Sequence, residues 1–443
     1  VSEHLETQAE IAKLARLLGV EPTQLQYLAD LPSADLRHFR DSVTDRIFGN
    51  DAHHLGRVVT ASKLVPIPVA AKGAQHAFGP LLCAALSGLI EPSRGVATAA
   101  RLPDDFLAEA SIDMDPRRSA GVIAAMPPQT VAKVGRILLD RHEYVTMGRF
   151  VGVLPEASVR AAAPEMSDAD LLRIAFVLED KSHLDDLMNV LSDRLVGIVR
   201  AAYAENLWAE ALDLLGNLSL ASRSRLGDLA ANESDELIDS LILAADRLEA
   251  WSDLLPLTAA MSEPALTRFA ASSAIDRPET LSAIMRAALD GDLWLDLLPL
   301  AAQLPMESRA VIAAEIAAED EQTLTDLIRA AHLAGEWNSL IPIATAMTQP
   351  DRQRLANLAL FTEDDVLLAV VRTASTHQLW AEVTPLVDAL PTEALTAQTP
   401  AAVWDALVAA RGEMPAALLG RLRERAAECG LSDTAAKLAS PPS

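Results

Sequence analysis

The sequence predicts an all-α chain: a right-handed superhelical α-solenoid built on a 43-residue helical repeat over about 175–389, preceded by shorter helical hairpins. Three observations carry this. Trp208, Trp251, Trp294, Trp337 and Trp380 stand 43 residues apart, so five of the six tryptophans share one spacing. Ala202, Ala245, Ala288, Ala331 and Ala374 keep the same step, as do Pro256, Pro299, Pro342 and Pro385. So do Arg200, Arg286, Arg329 and Arg372, with Leu243 the exception. Within a period, apolar residues recur at three and four, the helical spacing, and not at two. Several features locked to one long period mark stacked supersecondary units.

Residues 1–57 read as amphipathic helices around GVEPTQ and DLPSADL. Residues 58–101 are the least polar part and read as an apolar helical hairpin. Its uncharged run, GAQHAFGPLLCAALSGLI at 73–90, reaches the lower length of a membrane span. Gln75, His76, Pro80, Ser87 and three glycines suit a buried hairpin better than a lipid-facing helix. Residues 102–174 read as short degenerate repeats that open with Leu or Met before Pro at 102, 126 and 154, a spacing for two short helices each.

Five 43-residue repeats follow over 175–389. The stretch 304–346 predicts helices over 306–317, 321–333 and 338–347, with a charged break AEDEQ between the first two. Gly335 supplies the turn into the third helix, and Asn338 is its candidate N-cap. Pro342 is placed about four residues into that helix, where little of the hydrogen-bond ladder is lost. The tryptophan sits at this turn, positioned to close the core between units. Residues 390–443 form a closing helical cap, with Arg421, Arg423 and Arg425 on its outer face and a disordered SPPS tail.

A stacked helical unit of this length resembles the HEAT and armadillo class over about 175–389. The armadillo peptide ladder sets Trp and Asn together on the third helix. Here the tryptophan precedes that helix, so the resemblance does not carry that site over. Within 102–160, MDPRRSAGVIAAMPPQTVAKVGRILL resembles the N-terminal helical domain of the magnesium transporter E family, which repeats similar Pro-led units. That resemblance implies a helical superhelix and not transport.

The net charge is −25. Lys and Arg number 6 against 17 Asp and Glu in 201–300, and 5 against 14 in 301–400, so −20 of the total falls there. Such a surface repels a nucleic-acid backbone. Cys83 and Cys429 lie far apart, which argues against a disulfide framework and suits a reducing cytoplasm. The N-terminal stretch has neither the basic nor the apolar region of a secretory signal.

Four features are candidate sites. Asp235 and Glu236, Glu319, Asp320 and Glu321, and Glu363, Asp364 and Asp365 fall at nearly the same phase of the repeat. Stacked helices lie about 8–10 Å apart, so these carboxylates form a ladder for a basic partner or a hard divalent cation. The plainer account is helix capping and solubility. The arginine series either reads acidic groups on a peptide or bridges to the next unit's acids and carbonyls. The tryptophans form either a stacking platform or inter-repeat core. The hairpin either holds a lipid, touches a membrane surface, or is core.

No catalytic, cofactor or metal site is predicted. His53 and His54 diverge on a helix, His142-Glu143 lacks the second histidine of a zinc-protease helix, and LDGDLWLD at 289–296 has its glycine misplaced for a calcium loop. There is no phosphate-cradling glycine loop and no nucleophile elbow. The expected function is a non-enzymatic protein-interaction scaffold whose acidic surface takes a basic partner. The alternatives are a carrier of a lipid or other apolar ligand centred on 58–101, and a Mg²⁺-responsive regulatory module.

Overall fold

The structure is a computed structural model that describes residues 2–389, 395, 399 and 401–439. The SPPS tail lies outside these residues, as do the side chains of His53 and His54. Every regular element among the described residues is a helix, and no strand occurs. Internal contacts divide the chain into two compact units, Val1–Glu233 with Arg247–Asp253, and Ser234–Asp246 with Leu254–Ser443.

In the first unit, helices Ser2–Leu18 and Ser33–Ser62 flank the short turn Pro22–Leu28 and bury Ile11, Leu14, Leu25 and Leu36 between them. The second of these helices runs straight through the boundary expected at 57. Gly56 alone costs a helix only about 1 kcal/mol. The first strong stop is Val65 before Pro66, because a residue preceding proline is pushed out of helical geometry. The apolar hairpin consists of Ile67–Gly73, a π turn Ala74–Phe78, Gly79–Ser87 and Pro92–Ala99.

Beyond it, Pro103, Pro127 and Pro155 each stand at the N-cap of a helix, namely Asp104–Asp113, Pro128–Asp140 and Glu156–Ala162. Each is followed by a second short helix, Pro116–Ala124, Tyr144–Val151 and Asp168–Phe176. Ala108, Leu138, Met147 and Ile174 form their shared core.

In the second unit, helices begin at Glu263, Met306 and Gln349; at Pro278, Glu321 and Asp364; and at Trp294, Trp337 and Trp380. The three helices expected between 304 and 346 run Met306–Ala318, Glu321–Ala334 and Trp337–Ala346. Two details differ from expectation. Asn338 is not the N-cap: the helix starts at Trp337 after Glu336, and the Leu340 amide already donates to Glu336 O at 3.0 Å. The left-handed turn at Gly335 completes the reversal two residues earlier than expected. Pro342 therefore sits sixth in its helix, past the first ladder bond, and removes one bond without ending the helix.

The turn before each tryptophan has one backbone solution. Asn206, Glu249, Asp292, Gly335 and Gln378 all have positive φ, between 50° and 80°. The next amide then reaches back to the repeated alanine: Leu207 to Ala202 O at 2.8 Å, and Leu293, Glu336 and Leu379 to Ala288, Ala331 and Ala374 at 2.9 Å. This is the six-to-one bond of a Schellman cap. The alanine side chains are at most 1 % exposed, so a larger residue has no room there. Four of the five left-handed residues are not glycine; Glu249 and Gln378 carry a strain of about 1–2 kcal/mol each, and Asn206 and Asp292, types that tolerate this region, carry less. Gly335→Ala is accordingly expected to destabilise by about 1 kcal/mol, since a Cβ there meets no atom within 4 Å and only the backbone strain is added. Denaturant midpoints of the two proteins measure it.

Candidate functional site

The acidic residues singled out in the sequence all lie in the second unit, at the starts of its helices. Asp235 opens Asp235–Arg247, and its side chain is 88 % exposed, with Arg268 Nη2 at 3.4 Å. Asp320 is the N-cap of Glu321–Ala334 and accepts from the Thr323 amide at 2.9 Å. That backbone bond, with the Thr323 hydroxyl, holds the Asp320 carboxyl below its ordinary range. Glu363 is the N-cap of Asp364–Thr376 and meets Arg329 Nη2 at 2.9 Å. Asp365 lies 3.4 Å from His332 Nε2. Glu319 is half-buried, while Glu236, Glu321 and Asp364 are exposed. Among the described residues no ion pair engages Glu321 or Asp364. Capping thus uses some of these carboxylates, and a surplus of negative charge still faces solvent.

The arginine series divides in two. Arg200, in the first unit, grips Glu233 at 2.8 Å, and Arg329 grips Glu363 as above. Arg286 and Arg372 are exposed, with no ion pair among the described residues. A second arginine series escaped the sequence reading. Arg223 Nε donates to Leu215 O at 3.0 Å, Arg309 Nη2 to Leu304 O at 2.9 Å, and Arg352 Nη1 to Thr345 O at 2.9 Å. Each satisfies carbonyls at the end of the helix before its own, where the ladder runs out. The signal was the 43-residue step itself, interrupted by Leu266.

The tryptophan rings are buried. Trp208, Trp251, Trp294, Trp337 and Trp380 are 1–4 % exposed, which leaves no free ring face for stacking. Trp337 donates its indole N–H to His332 Nδ1 at 3.0 Å and Trp380 to Glu413 Oε2 at 3.2 Å.

The apolar hairpin is half-wrapped. Helix Gly79–Ser87 packs on Asp104–Asp113, while Leu64, Val69, Phe78 and Leu81 remain 44–89 % exposed. No helix among the described residues is long and apolar enough to cross a membrane.

The first unit also holds a cluster that no local pattern announced. Glu10, Lys13 and Arg40 have side chains only 1–5 % exposed. Glu10 lies 2.9 Å from Lys13 Nζ and 3.1 Å from Arg40 Nη1. Arg40 also makes a two-pronged contact with Glu179, one arm at 3.1 Å, and Lys13 donates to Leu178 O at 3.3 Å. Burial pushes the Glu179 carboxyl up, but the charges of Arg40 and Lys13 outweigh it, and the group ends below its ordinary range. The partners lie 139 and 165 residues apart in sequence, beyond the reach of any local pattern. The cluster ties the two N-terminal helices to the segment that follows Asp168–Phe176.

Among the described residues, no three His, Cys, Asp or Glu side chains stand together as a metal site. No family model, curated protein or solved structure matches the chain.

Proposed function

We propose that the chain is a non-enzymatic interaction scaffold of the HEAT or armadillo kind, a right-handed solenoid over about 175–389 whose acidic helix starts receive a basic protein segment. The observation that carries this reading is the surplus of exposed carboxylate at the starts of helices Asp235–Arg247, Glu321–Ala334 and Asp364–Thr376. Capping a helix needs one carboxylate at most. Here two or three stand at each start, and among the described residues the cations beside these eight carboxylates include Arg268, Arg329, His332 and Arg354, fewer than the carboxylates themselves. Recurrent left-handed turns and alanine-anchored caps support a regular array, because each unit then leaves its tryptophan turn in the same way. Solenoids offer long surfaces for extended partners, and opposite charge sets their register and on-rate. The two unpaired cysteines fit a reducing cytoplasm as the site of action.

Fluorescence anisotropy with a labelled arginine-rich peptide tests this. The test variant carries Asp235, Glu236, Asp320, Glu321, Asp364 and Asp365 changed to Lys. A control of equal net charge reverses Glu263, Glu279, Asp290, Glu307, Glu315 and Asp326, which are also exposed. The ladder variant should bind about tenfold or more weakly, the control much less so, with the difference shrinking at high salt. Equal losses in both variants would reduce the effect to net charge and refute a dedicated surface.

A further inference from the structure

The apolar hairpin has a charge pattern that its packing does not account for. Residues 52–90 contain no Asp or Glu, in a chain with 62 of them. Over 56–101 the only carboxylate is Glu91, against Arg57, Lys63, Lys72, Arg94 and Arg101. Glu91 is engaged as the N-cap of helix Pro92–Ala99. A segment sunk in a core carries few charges because burying them is costly. This one is largely uncovered: Leu64 is 89 % exposed, Leu81 69 %, Val69 58 % and Phe78 44 %.

The cations share that surface. In helix Ile67–Gly73, Val69 and Lys72 are exposed on the side opposite buried Ala71. Lys63 adjoins Leu64 in the turn before that helix, and both are exposed. Among the described residues no ion pair engages Arg57, Lys63 or Lys72. Elsewhere in the first unit, exposed Arg136, Arg141 and Arg160 each hold a carboxylate, at 3.0, 3.3 and 2.7 Å. Exposed Tyr27 and Leu31 lack this setting too, since Glu21, Asp30 and Asp35 stand near them in the chain.

We propose that the hairpin docks the chain on an anionic lipid surface. Leu64, Val69, Phe78 and Leu81 enter the boundary between headgroups and acyl chains, while Lys63 and Lys72 hold anionic headgroups. Interfacial binding draws on both buried apolar area and attraction to anionic lipid. Lysine separates a lipid from a protein partner. Protein interfaces disfavour Lys at their cores, whereas at a bilayer its stem lies along apolar material and its ammonium stays with the headgroups. The net charge of −25 opposes this little, because at physiological salt exposed charges are screened beyond about 8 Å and the local excess of cations governs. Docking of this kind is peripheral, needs no membrane-crossing helix and is independent of the acidic helix starts.

Flotation of the full chain with vesicles of phosphatidylcholine, and with vesicles of equal parts phosphatidylserine and phosphatidylcholine, tests this. The mixed vesicles should bind it about tenfold or more tightly than the neutral ones, with the gap closing at high salt. Lys63→Gln with Lys72→Gln should weaken binding to mixed vesicles about tenfold or more. Phe78→Ser with Leu81→Ser should weaken it about as much, through lost apolar burial. Tyr27→Ser, at a side chain 75 % exposed, should change nothing. All these positions are exposed, and circular dichroism should show each variant folded. No binding to mixed vesicles, equal binding to both kinds, or undiminished binding by either double variant would overturn the proposal. So would a dimer, seen by sedimentation velocity without lipid, that Phe78→Ser with Leu81→Ser breaks, which would give the face to a second copy.

Discussion

Arg40→Met should destabilise the first unit by about 3–5 kcal/mol at neutral pH, the usual effect of removing one partner from a buried ionic cluster. The variant leaves Glu10, 1 % exposed, and Glu179 with Lys13 as the one buried cation that reaches both. Arg37→Met is the control. Arg37 also reaches Glu10, at 3.3 Å, but is 40 % exposed, so its loss should cost no more than about 1 kcal/mol.

The pH dependence has a definite sign. The folded-state value of Glu179 is depressed, so its stabilising contribution is complete above the unfolded value, about 4.3, and is lost as pH falls through the folded value. The difference between wild type and Arg40→Met should therefore shrink in acid below about pH 4. Denaturant unfolding at neutral and acid pH, followed by circular dichroism, reads both effects. An undiminished difference in acid would place the Arg40 contribution in packing rather than charge.

Trp251→Ala should cost about as much, roughly 3–5 kcal/mol, because the ring is 1 % exposed and its removal leaves a cavity at the start of helix Trp251–Ala260. Tyr27 provides the contrast. It is also aromatic and in the first unit, but it is 75 % exposed, and Tyr27→Ala should change stability by no more than about 0.5 kcal/mol. Shifts in the denaturant midpoint at unchanged slope separate the two cases. A Trp251→Ala midpoint close to that of Tyr27→Ala would mean that the spaced tryptophans do not hold the helices together.

Much of the helical layout was legible because its markers are residue types. Proline before a helix is visible in a sequence, and Pro103, Pro127 and Pro155 stand where the Leu-Pro and Met-Pro pairs placed them. Gly335 is visible as a turn residue. The other four left-handed positions, Asn206, Glu249, Asp292 and Gln378, are less visible, because polar residues of these types are common throughout the chain. Their conformation is imposed by burial of the tryptophan and alanine on either side.

The acidic helix starts were legible as candidates, since charge at a fixed phase needs no tertiary knowledge. Which of those charges are already paired was not, because Arg268 and Arg329 reach them across neighbouring helices. The buried cluster around Arg40 was hidden for the same reason.

Hydrogen–deuterium exchange of the chain with and without the arginine-rich peptide tests the scaffold reading most directly. Amides at 234–238, 320–324 and 363–367 should slow together on binding, since the peptide would cover the first turns of three helices at once. Slowing confined to the 58–101 hairpin, or no slowing at those three helix starts, would contradict it.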